Sequence, residues 1–124
     1  MWLLLWRIYS RGGSIILLNG VEIINLTPHA VNLILSTGTL TIPSEGLTRC
    51  SQHDVLVGNI AGIDITETSY GEVQGLPEPR ENTYYIVSRL VLNACRDRND
   101  LLVPNQLERN EAGHIVGARS LARN

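Results

Sequence analysis

LPEPRENTYYIVSRLVLNACRDRNDLLVP, from Leu76 to Pro104, is the stretch whose reading decides the fold. Thr83 to Val87 is β-branched and aromatic, the composition of a central strand. Ser88 has the character of an N-cap, because its hydroxyl can accept from an unpaired N–H of the first helical turn. From Arg89 to Arg96, residues Leu90, Val91, Ala94 and Cys95 recur at helical spacing and predict a helix. Arg96, Asp97, Arg98, Asn99 and Asp100 close it, with Asn99 placed as a left-handed cap and the arginines favourable beside the negative end of the helix dipole. Leu101 to Val103 returns as a strand, which Pro104 stops because it has no N–H to donate.

Outward from this centre the chain reads as short strands. Upstream lie Val21 to Asn25, Ala30 to Leu35, Thr39 to Ile42, Leu47 to Ser51, Asp54 to Val57 and Ile63 to Thr68. Turn residues separate them, among them Thr27-Pro28-His29, Ser36-Thr37-Gly38, Pro43-Ser44-Glu45-Gly46 and the Gly58–Gly62 connection. Ile63 and Ile65 alternate with Asp64 and Thr66, the period of a half-buried strand. Tyr70 to Arg80 carries Gly71, Gly75, Pro77 and Pro79 and reads as a long irregular loop, a kind of segment that often carries function. Downstream, Gln106 to Arg109 and His114 to Arg119 flank a turn at Asn110 to Gly113. The expected architecture is α+β: a mainly antiparallel sheet or partly open barrel of short strands with one helix packed on it.

Met1 to Trp6, MWLLLW, is far shorter than the roughly 20 apolar residues that span a bilayer. Arg7 and Arg11 follow the apolar run, whereas a signal peptide carries its charge before it. The segment reads as an edge strand, a peripheral anchor, or an extension upstream of a domain that begins near Val21. The last is the expectation: residues 1–20 are an apolar N-terminal extension or arm, and 21–124 are one globular domain.

The net charge of −2 gives no global electrostatic case for nucleic acid or for an anionic membrane. All ten basic residues are Arg, so lysine Schiff-base chemistry is excluded. Arg forks suit carboxylate and phosphate. Cys50 and Cys95 are too few for a disulfide framework and read as buried free thiols of a reducing cytoplasm. His29, His53 and His114 are not spaced as metal ligands, so no metal and no cofactor are expected.

The candidate chemistry gathers in the opening stretch, which holds four of the ten arginines within 29 residues. Arg89 beside Ser88 offers a bidentate donor at a strand-to-helix turn, or else an exposed Arg beside a simple cap. Asp100 can orient Arg98 or Arg96 towards a ligand, or the cluster can serve only to end the helix. Glu72 and Glu78 flank the Gly/Pro loop, with Arg80 beside Glu78; they form a possible acid–base pair or a solvated loop. Tyr84 and Tyr85 point to opposite faces of their strand, so one is core and the other is free to stack on a ring. His29 either hydrogen-bonds its turn or acts as a general base with Glu72 or Glu78.

With these residues in view, the chain resembles a small family of uncharacterised phage and actinobacterial proteins. The blocks that carry the resemblance are Asn25-Leu26-Thr27-Pro28-His29-Ala30-Val31, Gly71-Glu72-Val73 with Gly75-Leu76-Pro77-Glu78-Pro79, and Tyr85-Ile86-Val87-Ser88. Arg98, Asp100 to Pro104, Arg109 and Gly113-His114-Ile115-Val116 complete it, across about Val21 to Leu121. The resemblance implies a mobile-element setting, hence a host cytoplasm, and no particular activity. The leading expectation is a binding module, not an enzyme, that sequesters an anionic small molecule such as a nucleotide signal. Its ligand would meet Glu78, Arg80, Tyr84, Tyr85, Ser88, Arg89, Arg98 and Asp100. The alternatives are an inhibitor that binds a host protein, and a small nucleotide hydrolase using His29, Glu72 and Glu78. Exposed sheet edges and the apolar N-terminus suggest a homo-oligomer.

Overall fold

The computed structural model describes the backbone of residues 9–11 and 14–16 and all of residues 20–124. In chain order the elements are β1 (Tyr9–Arg11), β2 (Ser14–Ile16), β3 (Glu22–Asn25), β4 (Val31–Leu35), β5 (Gly38–Ile42), β6 (Gln52–Ile60), β7 (Ile63–Tyr70), β8 (Thr83–Ile86), α1 (Arg89–Ala94), β9 (Leu101–Arg109) and β10 (Ile115–Ala122). Eight strands form one sheet in the order β1-β2-β3-β8-β9-β10-β4-β5, while β6 and β7 pair only with each other. The apolar Met1–Trp6 run lies outside the described residues. The backbone of the expected N-terminal extension adds β2, then β1, antiparallel along the free side of β3.

This architecture corrects the α+β expectation. Strand accounts for 52% of the described residues and helix for 6%, and the large sheet curls into a half-barrel. The sheet is also mixed, because three of its seven pairings are parallel: β3 with β8, β8 with β9, and β10 with β4. A parallel pair needs a crossover, and α1 is the short crossover between β8 and β9. It spans six residues rather than eight. Ser88 caps its start, accepting at Oγ from the Val91 N–H at 3.3 Å. Cys95 leaves the helical backbone and ends it, so Arg96 to Asp100 lie beyond the helix and Asn99 is not its cap.

Alternation along β8 splits the core in two. Tyr85 and Val87 face one side with Ile24, Leu101 and Val103, where α1 covers them with Val91 and Leu92. Ile86 faces the other side with Val31, Leu33, Ile42 and Ala118. Among the described residues no helix covers this second cluster; the curl of the sheet brings β4 and β5 over it. Each such side chain fully buried contributes about 1.5–3 kcal/mol.

Asn25 fastens the curl. It is fully buried. Its Nδ2 donates to the carbonyls of His29 at 2.8 Å and Ile42 at 3.0 Å, and its Oδ1 accepts from the N–H of Thr27 at 3.0 Å. One side chain thus ties β3, the Thr27–His29 turn and the far edge strand β5 together. The Asn-Leu-Thr-Pro-His block is, in this sense, a structural motif.

The strand expected to stop at Pro104 runs on to Arg109. β8 pairs with β9 only at Leu101 and Leu102, whereas β10 pairs along the rest, Pro104 included. From Pro104 onward one side of β9 is therefore an edge, where a missing N–H costs nothing. The expected Gly58–Gly62 connection shrinks to a two-residue turn, Ala61-Gly62, with φ of 52° and 88°. Two positive φ values match the right-handed twist of the flanking strands, so β6 and β7 extend into a hairpin about 30 Å long.

Candidate functional site

The residues expected to form one ligand site fall into two places. The first is a clamp on the Gly/Pro loop. Arg98 holds Asp100 through two parallel bonds, Nε to Oδ1 and Nη2 to Oδ2, each 2.8 Å. The same Nη2 donates to the Pro77 carbonyl at 3.0 Å. The buried Tyr85 reaches the Glu78 carbonyl with its hydroxyl at 3.5 Å. The charged hydrogen bond from Arg98 holds the Asp100 carboxyl below the usual carboxylate range, and the same bond raises Arg98. Asp100 and the loop backbone thus take the Nε and Nη2 donors of Arg98 that a ligand would need. Arg80 is likewise paired, with Glu22 at 3.0 Å. Tyr84 is half-buried on the opposite face of β8 from Tyr85, and the Glu78 side chain is exposed.

The second place is a cleft of roughly 450 Å³ where the β6–β7 hairpin leaves the body, lined by Thr48, Arg49, Cys50, Ser51, Glu72, Gln74, Ser88 and Leu90. Glu72 and Ser88 of the expected set are here, with Arg89 adjoining. Two paired segments build its floor. Arg49 and Gln74 exchange backbone hydrogen bonds at 2.9 and 2.8 Å, and the Gly71 N–H donates to the Ser51 carbonyl at 2.9 Å. Gly75 makes the close approach possible: its φ is +83° and a Cβ there would stand 2.5 Å from the Leu47 carbonyl oxygen. The Cys50 thiol donates to the Gly71 carbonyl at 3.4 Å. Cys95 packs against the same core cluster as Cys50, and burial, then Asp97, push its thiol up.

Arg49 is the residue that sequence reasoning missed. Among the described residues its guanidinium has no hydrogen bond or ion pair, and neither have the side chains of Glu72 and Gln74. One signal was available: Arg49 is the only cationic side chain between Arg11 and Arg80. His29 sits in its turn with its carbonyl engaged by Asn25. No hydrogen bond or ion pair joins it to Glu72 or Glu78 among the described residues. Among those residues, too, no group of three or more His, Cys, Asp or Glu side chains is placed to hold a metal ion, and no helix is long and apolar enough to cross a membrane.

The hairpin itself stands clear of the body, and every residue of β6 and β7 is exposed. Residues opposite each other in its register share a face. His53, Val55, Gly58 and Ile60 stand opposite Ser69, Glu67, Ile65 and Ile63 on one face; Asp54, Leu56 and Asn59 stand opposite Thr68, Thr66 and Asp64 on the other. Val57 is the extra residue of a bulge. One face is therefore largely aliphatic towards the tip and the other largely polar.

No protein-family model matches the chain, and no curated protein or solved structure is significantly similar to it.

Proposed function

We propose that this domain is a non-catalytic binding module that holds an anionic small molecule in the cleft at the foot of the β6–β7 hairpin. The observation that carries the reading is the Arg49 guanidinium, which has no hydrogen bond or ion pair among the described residues, in a concave site where the side chains of Glu72 and Gln74 are likewise unengaged among those residues. A guanidinium fork recognises a carboxylate or phosphate through two donors. Glu72 would accept from an amino or hydroxyl group of the same ligand. Gln74, Ser51 and Ser88 offer further polar groups of either sense. A nucleotide signal has this combination of charges and hydroxyls. The Arg98–Asp100 pair serves this site indirectly, by holding the loop that follows Gln74.

Native mass spectrometry of the protein incubated with a mixed pool of nucleotides and small carboxylates tests the proposal. The expected result is a stoichiometric adduct, released chemically unchanged on denaturation. Replacing Arg49 by Ala should weaken it by about tenfold to a hundredfold, the value of a charged hydrogen bond. Equal binding by Arg49→Ala and wild type would place the ligand elsewhere. A ligand released with an altered mass would argue for catalysis instead.

A further inference from the structure

We propose that the occupant of the cleft is one nucleotide of a single-stranded nucleic acid, whose phosphate backbone continues from the cleft across α1. The inference rests on the cleft reading above and narrows it from a free anion to a strand. Its ground is the pairing of the arginines. Arg80, Arg98 and Arg119 are paired with Glu22, Asp100 and Glu108, and Arg109 donates to the Gly113 carbonyl at 2.7 Å. Arg49, Arg89, Arg96 and Arg123 are exposed and have no hydrogen bond or ion pair among the described residues. All four border α1. Arg49 lines the cleft with Ser88 and Leu90, and Arg89 is the first residue of α1. Arg96 follows the Cys95 cap at the other end. There the Asn124 side chain donates to the Leu92 carbonyl at 3.1 Å and brings its neighbour Arg123 alongside.

Spacing, room and charge favour a strand as the partner. α1 is six residues long, so its two ends, each with a pair of unengaged arginines, stand about 9 Å apart. A strand repeats its phosphates every ~3.4 Å when stacked, and so supplies a phosphate to each pair. The cleft, roughly 450 Å³, is large enough for one unstacked nucleotide. Its polar side chains suit a base edge: the Gln74 amide both donates and accepts, and Glu72 accepts from an amino group or a ring N–H. A duplex keeps those edges paired. The net charge of −2 hides this basic face, because the β6–β7 arm carries Asp54, Asp64 and Glu67 and no arginine. Beside α1 the four free arginines are opposed by Glu72 in the cleft and Asp97 next to Arg96. An acidic polypeptide would match the arginines but would bring no base edge to Glu72 and Gln74.

Fluorescence anisotropy with a short mixed-sequence DNA strand, set beside competition by free nucleoside monophosphates, tests this. The strand should bind at least about tenfold more tightly than the mononucleotides. Four neutralised phosphates at ~0.7 each predict that log affinity falls with log salt at a slope of about −3. The double variant Arg96→Gln/Arg123→Gln should lower strand affinity by about tenfold, and its slope should fall to about −1.4. Both arginines are exposed and unpaired, so the thermal midpoint should not move; should the double variant fold poorly, each single variant should weaken the strand in the same direction. Arg109→Gln removes one charge far from α1 and should bind the strand as wild type does. A strand held no more tightly than a mononucleotide, or held equally by the double variant, would overturn the inference and leave the cleft reading standing. Equal affinity for the matching duplex would remove the unstacked nucleotide from the cleft and overturn it too. Polyglutamate that displaces the strand at equal charge concentration would assign the face to an acidic polypeptide instead. Absence of binding by strand and mononucleotide alike would sink both readings.

Discussion

Asp100 shows how one side chain can be legible in type and not in purpose. Its neighbour two residues back, Arg98, makes an Arg–Asp clamp readable from sequence. The third party, the Pro77 carbonyl, comes from 21 residues away and turns a possible ligand clamp into a loop anchor. Asp100→Asn leaves shape and removes the charge, so it should destabilise the domain by about 1–3 kcal/mol at neutral pH. Because the folded-state pKa lies below the ordinary 3.8, the unfolded chain takes up the proton first. The stability contributed by the pair is therefore present above the ordinary carboxylate range and is lost as pH falls through the folded value. Urea unfolding of wild type and Asp100→Asn between pH 7 and pH 3 should show the gap closing at the acid end. A gap that stays constant would mean that charge is not what the pair contributes. Asn25 belongs to the same class of residue: an Asn in a turn-rich block is easy to read as turn chemistry, yet its partners include a carbonyl 17 residues away.

At the scale of elements, local signals placed most strands and misjudged several ends. Leu47 to Ser51, read as a strand, is extended chain that makes a single bridge at Arg49. The strands of the arm run longer than their apolar cores, because a tight turn lets pairing continue to the tip. That turn holds Ala61 at φ 52°, where a Cβ costs about 1–2 kcal/mol. Asn tolerates this conformation, and Asn-Gly is the favoured pair for such a turn. Ala61→Asn should therefore slow hydrogen exchange of the β6–β7 amides several-fold, equivalent to about 0.5–1 kcal/mol. Exchange that is unchanged or faster would show that the turn does not limit the arm. The helix illustrates the converse error. Its apolar spacing points to Leu90, Val91, Ala94 and Cys95 as the packed face, whereas the core takes Val91 and Leu92, and the helix ends two residues early because Cys95 breaks from helical geometry.

For the whole molecule the decisive fact is that two cores share one strand. β8 is buried on both faces, one under α1 and one under the sheet's own curl, so the body is held by contacts distant in sequence. The arm takes no part in either core cluster, and its two ends meet where Gly71 donates to Ser51. Replacing residues 52–70 by a two-residue glycine turn should therefore keep the body folded. Its thermal midpoint should move by no more than about 4 °C, the shift that 1 kcal/mol produces in a domain of this size. Loss of exchange protection in β8 and β9 would show instead that the arm is integral to the core.

The sequence by itself determined where most of the short strands lie and where α1 begins. These depend on residue type and period, which act over a few neighbouring positions. Only the tertiary structure decided strand order, the parallel pairings and the curl, and with them which charges are engaged and which are free. Arg98 and Arg49 are the same residue type in similarly polar stretches. One is committed to a carboxylate and a carbonyl; the other lines a cleft and has no hydrogen bond or ion pair among the described residues. The difference lies in what distant segments bring within hydrogen-bonding reach, a range of about 3 Å that spacing along the chain does not encode.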